Sequence, residues 1–221
     1  GETLVNASKY FLDYEEGIYL GYKYYETRGF TEKEADPETT WYEDHVVYPF
    51  GYGLSYTTFT WQLVSSNPSN GASLTSNGTI EVVVRVTNSG SVAGKDVVQL
   101  YYTAPYTAGG IEKSYVTLAE FAKTDIIEPG DYEDVTISIN VRDMASYDWN
   151  DANNNSFKGY EVEEGDYEIK LMKNAHEKIL GIEYTVPAGG FTYAKDEKTD
   201  EDIVNRFDDI SAKVYNADPQ N

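Results

Sequence analysis

The chain has no cysteine, so no disulfide, thiolate metal site or cysteine nucleophile is available to it and its stability has to come from packing. No apolar run approaches the roughly 20 residues of a membrane-spanning helix. The opening Gly1-Glu2-Thr3-Leu4 lacks the basic and apolar regions of a signal peptide. Either the protein is intracellular or the sequence starts downstream of a true N-terminus; cytoplasm is favoured over secretion. Basic residues are scarce, 17 against 38 acidic ones, and the formal charge of −21 argues against nucleic acid or an anionic membrane face as a partner. Only two histidines are present, His45 and His176, far apart and in no metal or nucleophile motif.

What remains is ample for a core: 221 residues, 40% hydrophobic and 14% aromatic. The chain is organised around Tyr48-Pro49-Phe50-Gly51-Tyr52-Gly53-Leu54-Ser55-Tyr56-Thr57-Thr58-Phe59. Pro49 fixes its own φ and biases Val47-Tyr48 toward extended backbone, while Gly51 and Gly53 allow angles closed to other residues. A shaped turn is expected, and beyond it the pattern alternates, with Phe59, Trp61 and Leu63 on one side and Tyr56, Thr58, Thr60 and Gln62 on the other.

From residue 56 to about 187 the sequence predicts an all-β sandwich. Strands are expected at Phe59–Val64, Ile80–Thr87, Asp96–Tyr102, Val116–Phe121, Tyr132–Ile139, Tyr167–Met172 and Ile179–Val186. Within Ile80–Val86 the apolar Ile80, Val82, Val84 and Val86 share one face and Glu81 and Arg85 the other, so this strand has a core side and a wet side. Asn88-Ser89-Gly90, Pro129-Gly130-Asp131 and Glu164-Gly165-Asp166 put glycine where a turn needs positive φ. Upstream, the aromatic run Gly17-Ile18-Tyr19-Leu20-Gly21-Tyr22-Lys23-Tyr24-Tyr25 reads as a strand, followed by an acidic loop through Pro37. A lone strand cannot satisfy its backbone, so it is expected in the sheet of another domain, or else as an extra strand of the sandwich.

Residues 48–59 resemble the Pro-Phe-Gly-Tyr-Gly-Leu-Ser-Tyr-Thr hallmark of family-3 glycoside hydrolases, at the junction of their α/β sandwich and fibronectin type III-like domains. Glu16–Tyr25 is similar to a late strand of that α/β domain, with Lys23 where Arg is more usual. Val86-Thr87-Asn88-Ser89-Gly90, Gly94–Tyr101, Leu118–Thr124 with Glu128-Pro129-Gly130, and Tyr147-Asp148 followed by Glu164-Gly165-Asp166-Tyr167 resemble successive signatures of the third domain. The resemblance implies a mainly β, fibronectin-III/immunoglobulin-like sandwich with an N-terminal remnant of an α/β sandwich domain. The implied division is 1–55 for that remnant and the joining turn, 56–190 for the fibronectin-like domain and 191–221 for an acidic tail. Val204–Asp209 looks like the segment that, in permuted members, leads into a downstream TIM barrel.

Family members cleave β-linked sugars with retention, using an Asp on a TIM barrel and an acid/base Glu from the α/β domain. Neither motif is visible in this sequence, so no catalytic residue is assigned, and no cofactor or metal site. The implied partners are the TIM-barrel and α/β domains of the same enzyme, with a β-glucoside or oligosaccharide as substrate of the whole.

Other candidates have plainer readings. The pairs Glu15-Glu16, Glu163-Glu164 and Asp208-Asp209 read as solvated acid on an acidic chain. Asp151, Asn153 and Asn155 alternate as calcium ligands would, but an EF-hand begun at Asp151 needs Gly and Glu where Ser156 and Val162 stand, so a long polar hairpin loop is expected. Asn6, Asn77 and Asn154 fit the N-glycosylation pattern, which matters in a secretory host. Tyr101, Tyr102, Tyr106, Tyr115, Trp149 and Phe157 could stack on sugar rings, so a carbohydrate-binding β-sandwich is the alternative function.

Overall fold

Alternation of β-branched residues drives the chain into two antiparallel sheets. The computed structural model describes residues 17–204. One sheet has the order β1-β2-β5 and the other β4-β3-β8-β9. The strands are β1 (Phe59–Asn67), β2 (Thr79–Asn88), β3 (Val97–Thr103), β4 (Thr117–Lys123), β5 (Tyr132–Asn140), β8 (Gly165–Met172) and β9 (Lys178–Val186). All seven coincide with the expected strands to within a few residues at their ends. Three short strands, β6 (Ser146–Asp148), β7 (Gly159–Val162) and β10 (Phe191–Tyr193), form a further small sheet.

The core lies between the two main sheets. In β2 the residues Ile80, Val82, Val84 and Val86 are fully buried, as their period requires. Ile80 stands opposite Ile139, Val82 opposite Ile137 and Val84 opposite Val135, so the register pairs branched side chains across the ladder. The facing sheet supplies Val98, Leu100, Tyr167, Ile169, Leu171, Ile182, Tyr184 and Val186, with Phe59, Trp61 and Leu63 of β1 packed at the margin. Each large apolar side chain so buried contributes about 1.5–3 kcal/mol.

Upstream of Pro49 the structure corrects the sequence reading. Tyr22–Ala35 is an α-helix (α1), a second short helix (α2) follows at Trp41–His45, and neither the strand at Gly17–Tyr25 nor a loop through Pro37 forms. The aromatic content of the run suggested β structure, but its contacts repeat at helical intervals. Tyr22, Glu26 and Phe30, four apart, face the sandwich, and Thr27 and Thr31 return their hydroxyls to the carbonyls of Lys23 and Thr27. Asp36, extended at the C-cap, precedes Pro37, which disfavours helical backbone there. Gly29 is tolerated mid-helix because Tyr42 packs on it; a Cβ there would sit 2.8 Å from the Tyr42 ring.

The helices cover the outer face of β3. Its burial is therefore two-sided: Val98 and Leu100 point into the sandwich, while on the outer face Tyr101 meets Tyr22 of the helical layer and Gln99 is covered by the turn at Gly51. A second core cluster of Tyr101, Val116, Met172 and Ala175, flanked by Tyr22, Tyr115 and Leu118, fills this outer space. Glu15-Glu16, Asp208-Asp209, Asn6 and most of the 204–221 segment, including Phe207 and Ile210, lie outside the described residues.

Candidate functional site: the joining turn and its surface

Pro49 to Tyr52 form a tight turn closed by the Tyr52 amide donating to the Pro49 carbonyl at 3.0 Å. Gly51 occupies the third position with φ of 80°, where a type II turn requires positive φ. Gln99 of β3 holds it. Its side-chain amide donates to the carbonyls of Gly51 and Lys173, both at 3.0 Å, and its oxygen accepts the Tyr101 hydroxyl at 2.9 Å. A Cβ on Gly51 would overlap that oxygen. The Ala175 amide donates to the Phe50 carbonyl at 2.8 Å, and the Phe50 ring stacks on Tyr22 of α1 with centroids 4.4 Å apart. Strand, hairpin and helix thus grip one turn.

A second anchor lies downstream. Asn88, fully buried at the end of β2, accepts the Thr57 hydroxyl (2.7 Å) and the Gly90 amide (3.1 Å) on one oxygen and donates to the carbonyls of Val92 and Ile127 (both 2.8 Å). All four of its hydrogen-bonding capacities are used. Gly90 is needed for close approach rather than for φ, since a Cβ there would overlap the Thr57 hydroxyl. Gly130 (φ 85°) and Gly165 (φ 126°) do take up positive φ.

Around these anchors large apolar side chains are left exposed. Val47, Tyr48 and Tyr52 are exposed, Leu54 is 89% exposed and Tyr56 completely so. An apolar strip of this kind is the mark of a surface meant to be covered.

The helical layer is fastened on its other side by a polar cluster. Glu26, 4% exposed, accepts the Tyr42 hydroxyl in a short hydrogen bond and faces Nδ1 of His176 at 2.9 Å. The His176 ring stacks on Tyr42 at 3.8 Å with the planes 10° apart. The hydrogen bond to Glu26 raises the pKa of His176, burial opposing it less strongly. Nearby, Phe30 stacks on Tyr115 (4.0 Å), whose ring also carries the buried Lys170 ammonium at 4.2 Å. A cleft of about 290 Å³ lies among Glu26, Phe30, Tyr42, Tyr115, Lys170 and His176.

The residues singled out in sequence scatter. Tyr101 is fully buried and burial raises its pKa strongly. Tyr102 is mostly buried, with its hydroxyl pushed up to about 12. Tyr115 lies in the helix contact, Phe157 is half-buried, and Tyr106 and Trp149 are exposed on separate loops. No shared sugar-stacking face results among them. Glu163 pairs with Lys113, and Glu164 accepts the Gly189 amide at 2.7 Å. His45 stacks on Trp41. In the loop after β6, Asp151, Asn153 and Asn155 cap the amides of Ser156, Asn155 and Phe157. Their alternation is that of backbone-binding turns. Among the described residues no group of three His, Asp or Glu side chains is placed to hold a metal ion.

Gln99, Asn88, Glu26 and Tyr42 were not predicted. Gln99 had a signal, a polar side chain inside the apolar run Val97–Tyr101; Glu26 and Tyr42 had none, because their partner His176 is 150 residues from Glu26.

A two-sheet sandwich with seven main strands defines a fibronectin type III-like domain, and the fibronectin type III-like domain family matches residues 96–175. Beta-glucosidase A of Butyrivibrio fibrisolvens is 38% identical over 184 residues, covering 79% of this chain and 20% of that protein. Among solved structures, beta-glucosidase 3B from Thermotoga neapolitana superposes with a TM-score of 0.59 at 36% identity, over 79% of this chain and 20% of that one. A beta-glucosidase from Paenibacillus barengoltzii gives 0.61 at 36% identity, over 79% and 18%. The chain spans about a fifth of the length of the curated relatives it matches. It belongs to the family-3 glycoside hydrolases and corresponds to the region around their fibronectin type III-like domain.

Proposed function

We propose that this chain is the non-catalytic portion of a retaining β-glucosidase-type exo-glycosidase, and that the whole enzyme releases terminal β-linked glucose or a related sugar. Residues 1–55 form the end of an α/β sandwich domain and the joining turn, 56–190 the fibronectin type III-like domain and 191–221 an acidic tail. The TIM-barrel and α/β domains of the same enzyme supply the two carboxylates and a β-glucoside or oligosaccharide is their substrate. The sandwich buttresses them, so that loops from two domains meet the sugar at the correct separation.

The observation that carries this reading is the exposed apolar strip Val47–Tyr56, tied to the sandwich at Gly51 by the buried Gln99 amide and followed directly by Thr57, which the buried Asn88 amide holds. Two measurements test it. The purified chain is expected to leave aryl β-glucosides intact; turnover that survives repurification and vanishes on changing one acidic residue would show chemistry of its own. In the whole enzyme, Leu54→Asp with Tyr56→Asp is expected to lower kcat/KM at least tenfold while leaving the unfolding midpoint of the 221-residue chain unchanged. An unaltered whole enzyme would remove the buttress role.

A further inference from the structure

We propose that Glu26, Tyr42 and His176 form a proton-dependent latch that fastens the α1–α2 layer to the β8–β9 hairpin, closed while His176 carries its proton and loosened once the proton leaves. The argument begins with Glu26. Its carboxylate is almost wholly removed from water, a position that an ionised group keeps only with a partner. Arg28 on the same helix is committed to Glu32 at 2.5 Å, and the Lys33 ammonium points to the Thr39 carbonyl at 3.4 Å. Among the described residues the cation within ion-pair distance of Glu26 is the imidazolium of His176, at 2.9 Å from Nδ1 to Oε2.

The other surroundings of His176 act in the same direction. Glu43 on α2 and Glu177 on the hairpin add negative potential. The flat stack on Tyr42 offers a ring face to the charge. Lysines 33, 170 and 178 and Tyr115 line the same cleft, but Lys170 and Lys178 both pair with Glu168. The proton is therefore held more tightly with the latch closed than with the ring in water, where it would titrate near 6.5. Closure is fully favoured below that value and loses this contribution as pH rises through the raised one. The layer is also held by Tyr22, which stacks on Phe50 and accepts the Leu118 amide, by Phe30 stacked on Tyr115 and by Thr27 accepting the Tyr115 amide, and none of these contacts involves a histidine.

The absence of cysteine makes the test direct. Spin labels are placed in the 221-residue chain through Glu34→Cys on α1 and Thr136→Cys on β5, both exposed, and their separation is read at about pH 6 and about pH 8.5, on either side of histidine titration. One narrow separation is expected at the lower pH and an added, broader population at the higher. His176→Gln and Glu26→Gln should erase the difference between the two conditions, and His45→Gln should keep it. In parallel, ring-proton NMR should find His176 titrating above its ordinary value in the parent and shifting down in Glu26→Gln. Identical distributions at both pH values in the parent, or a His176 midpoint at or below the ordinary value, would overturn the latch; neither result depends on the variants folding.

Discussion

Gly51 and Gly53 stand two residues apart, but their constraints differ. Gly51 has positive φ and lies against Gln99, whereas Gly53 has ordinary φ and open space around its Cα. The expectation from sequence that either glycine could need its special conformation therefore divides. Gly51→Val should lower stability by about 2 kcal/mol or more, since left-handed backbone at a β-branched residue and displacement of a buried amide both count against it. Gly53→Val should stay within about 0.5 kcal/mol, as exposed substitutions usually do. Urea unfolding of both variants beside the parent checks this, and coincident midpoints for the pair would contradict it. Asn88 teaches a related lesson. A sequence shows an Asn-Ser-Gly turn, but not that the Asn side chain is fully enclosed and ties Thr57 to Gly90.

At the scale of elements, the strands were legible and the helices were not. Ile80–Val86 could be read because burial on one face imposes a period of two that survives in the sequence. The segment Tyr22–Ala35 has no such stripe: the positions it turns inward include a glutamate, a threonine and a glycine, which a hydrophobic pattern does not register. Propensity then favours the aromatic run as a strand, and tertiary contacts override it. Tyrosines make the same point. Tyr101→Ala should cost about 3–5 kcal/mol, because it empties the centre of the second core, while Tyr56→Ala should change the stability of this chain by less than about 0.5 kcal/mol. Thermal melts of the two variants separate core from cover. Equal losses would mean that the strip around Tyr56 is already packed in the isolated chain.

For the whole molecule, charge is the governing feature. With 38 acidic and 17 basic residues, self-repulsion opposes compaction, and the long-range part of it is screened as the Debye length falls from about 30 Å at 0.01 M salt to about 8 Å at 0.15 M. The unfolding midpoint should accordingly rise by roughly 2–4 °C for each kcal/mol of repulsion relieved. A calorimetric series in sodium chloride tests this, and a midpoint that falls over that range would show that attractive pairs such as Arg85 with Asp134 outweigh the repulsion.

The sandwich, its core strands and the location of the joint were legible in the residues alone, because those depend on local periodicity and on residues whose backbone is restricted wherever they occur. Long-range packing sets the rest: the stretch before the joint is helical, the outer face of β3 is a second core, Gly51 rather than Gly53 is constrained, and Glu26 meets His176. Each of these rests on contacts between residues distant in the chain. In such contacts the partner's position, rather than the residue's own chemistry or its neighbours in sequence, sets the outcome.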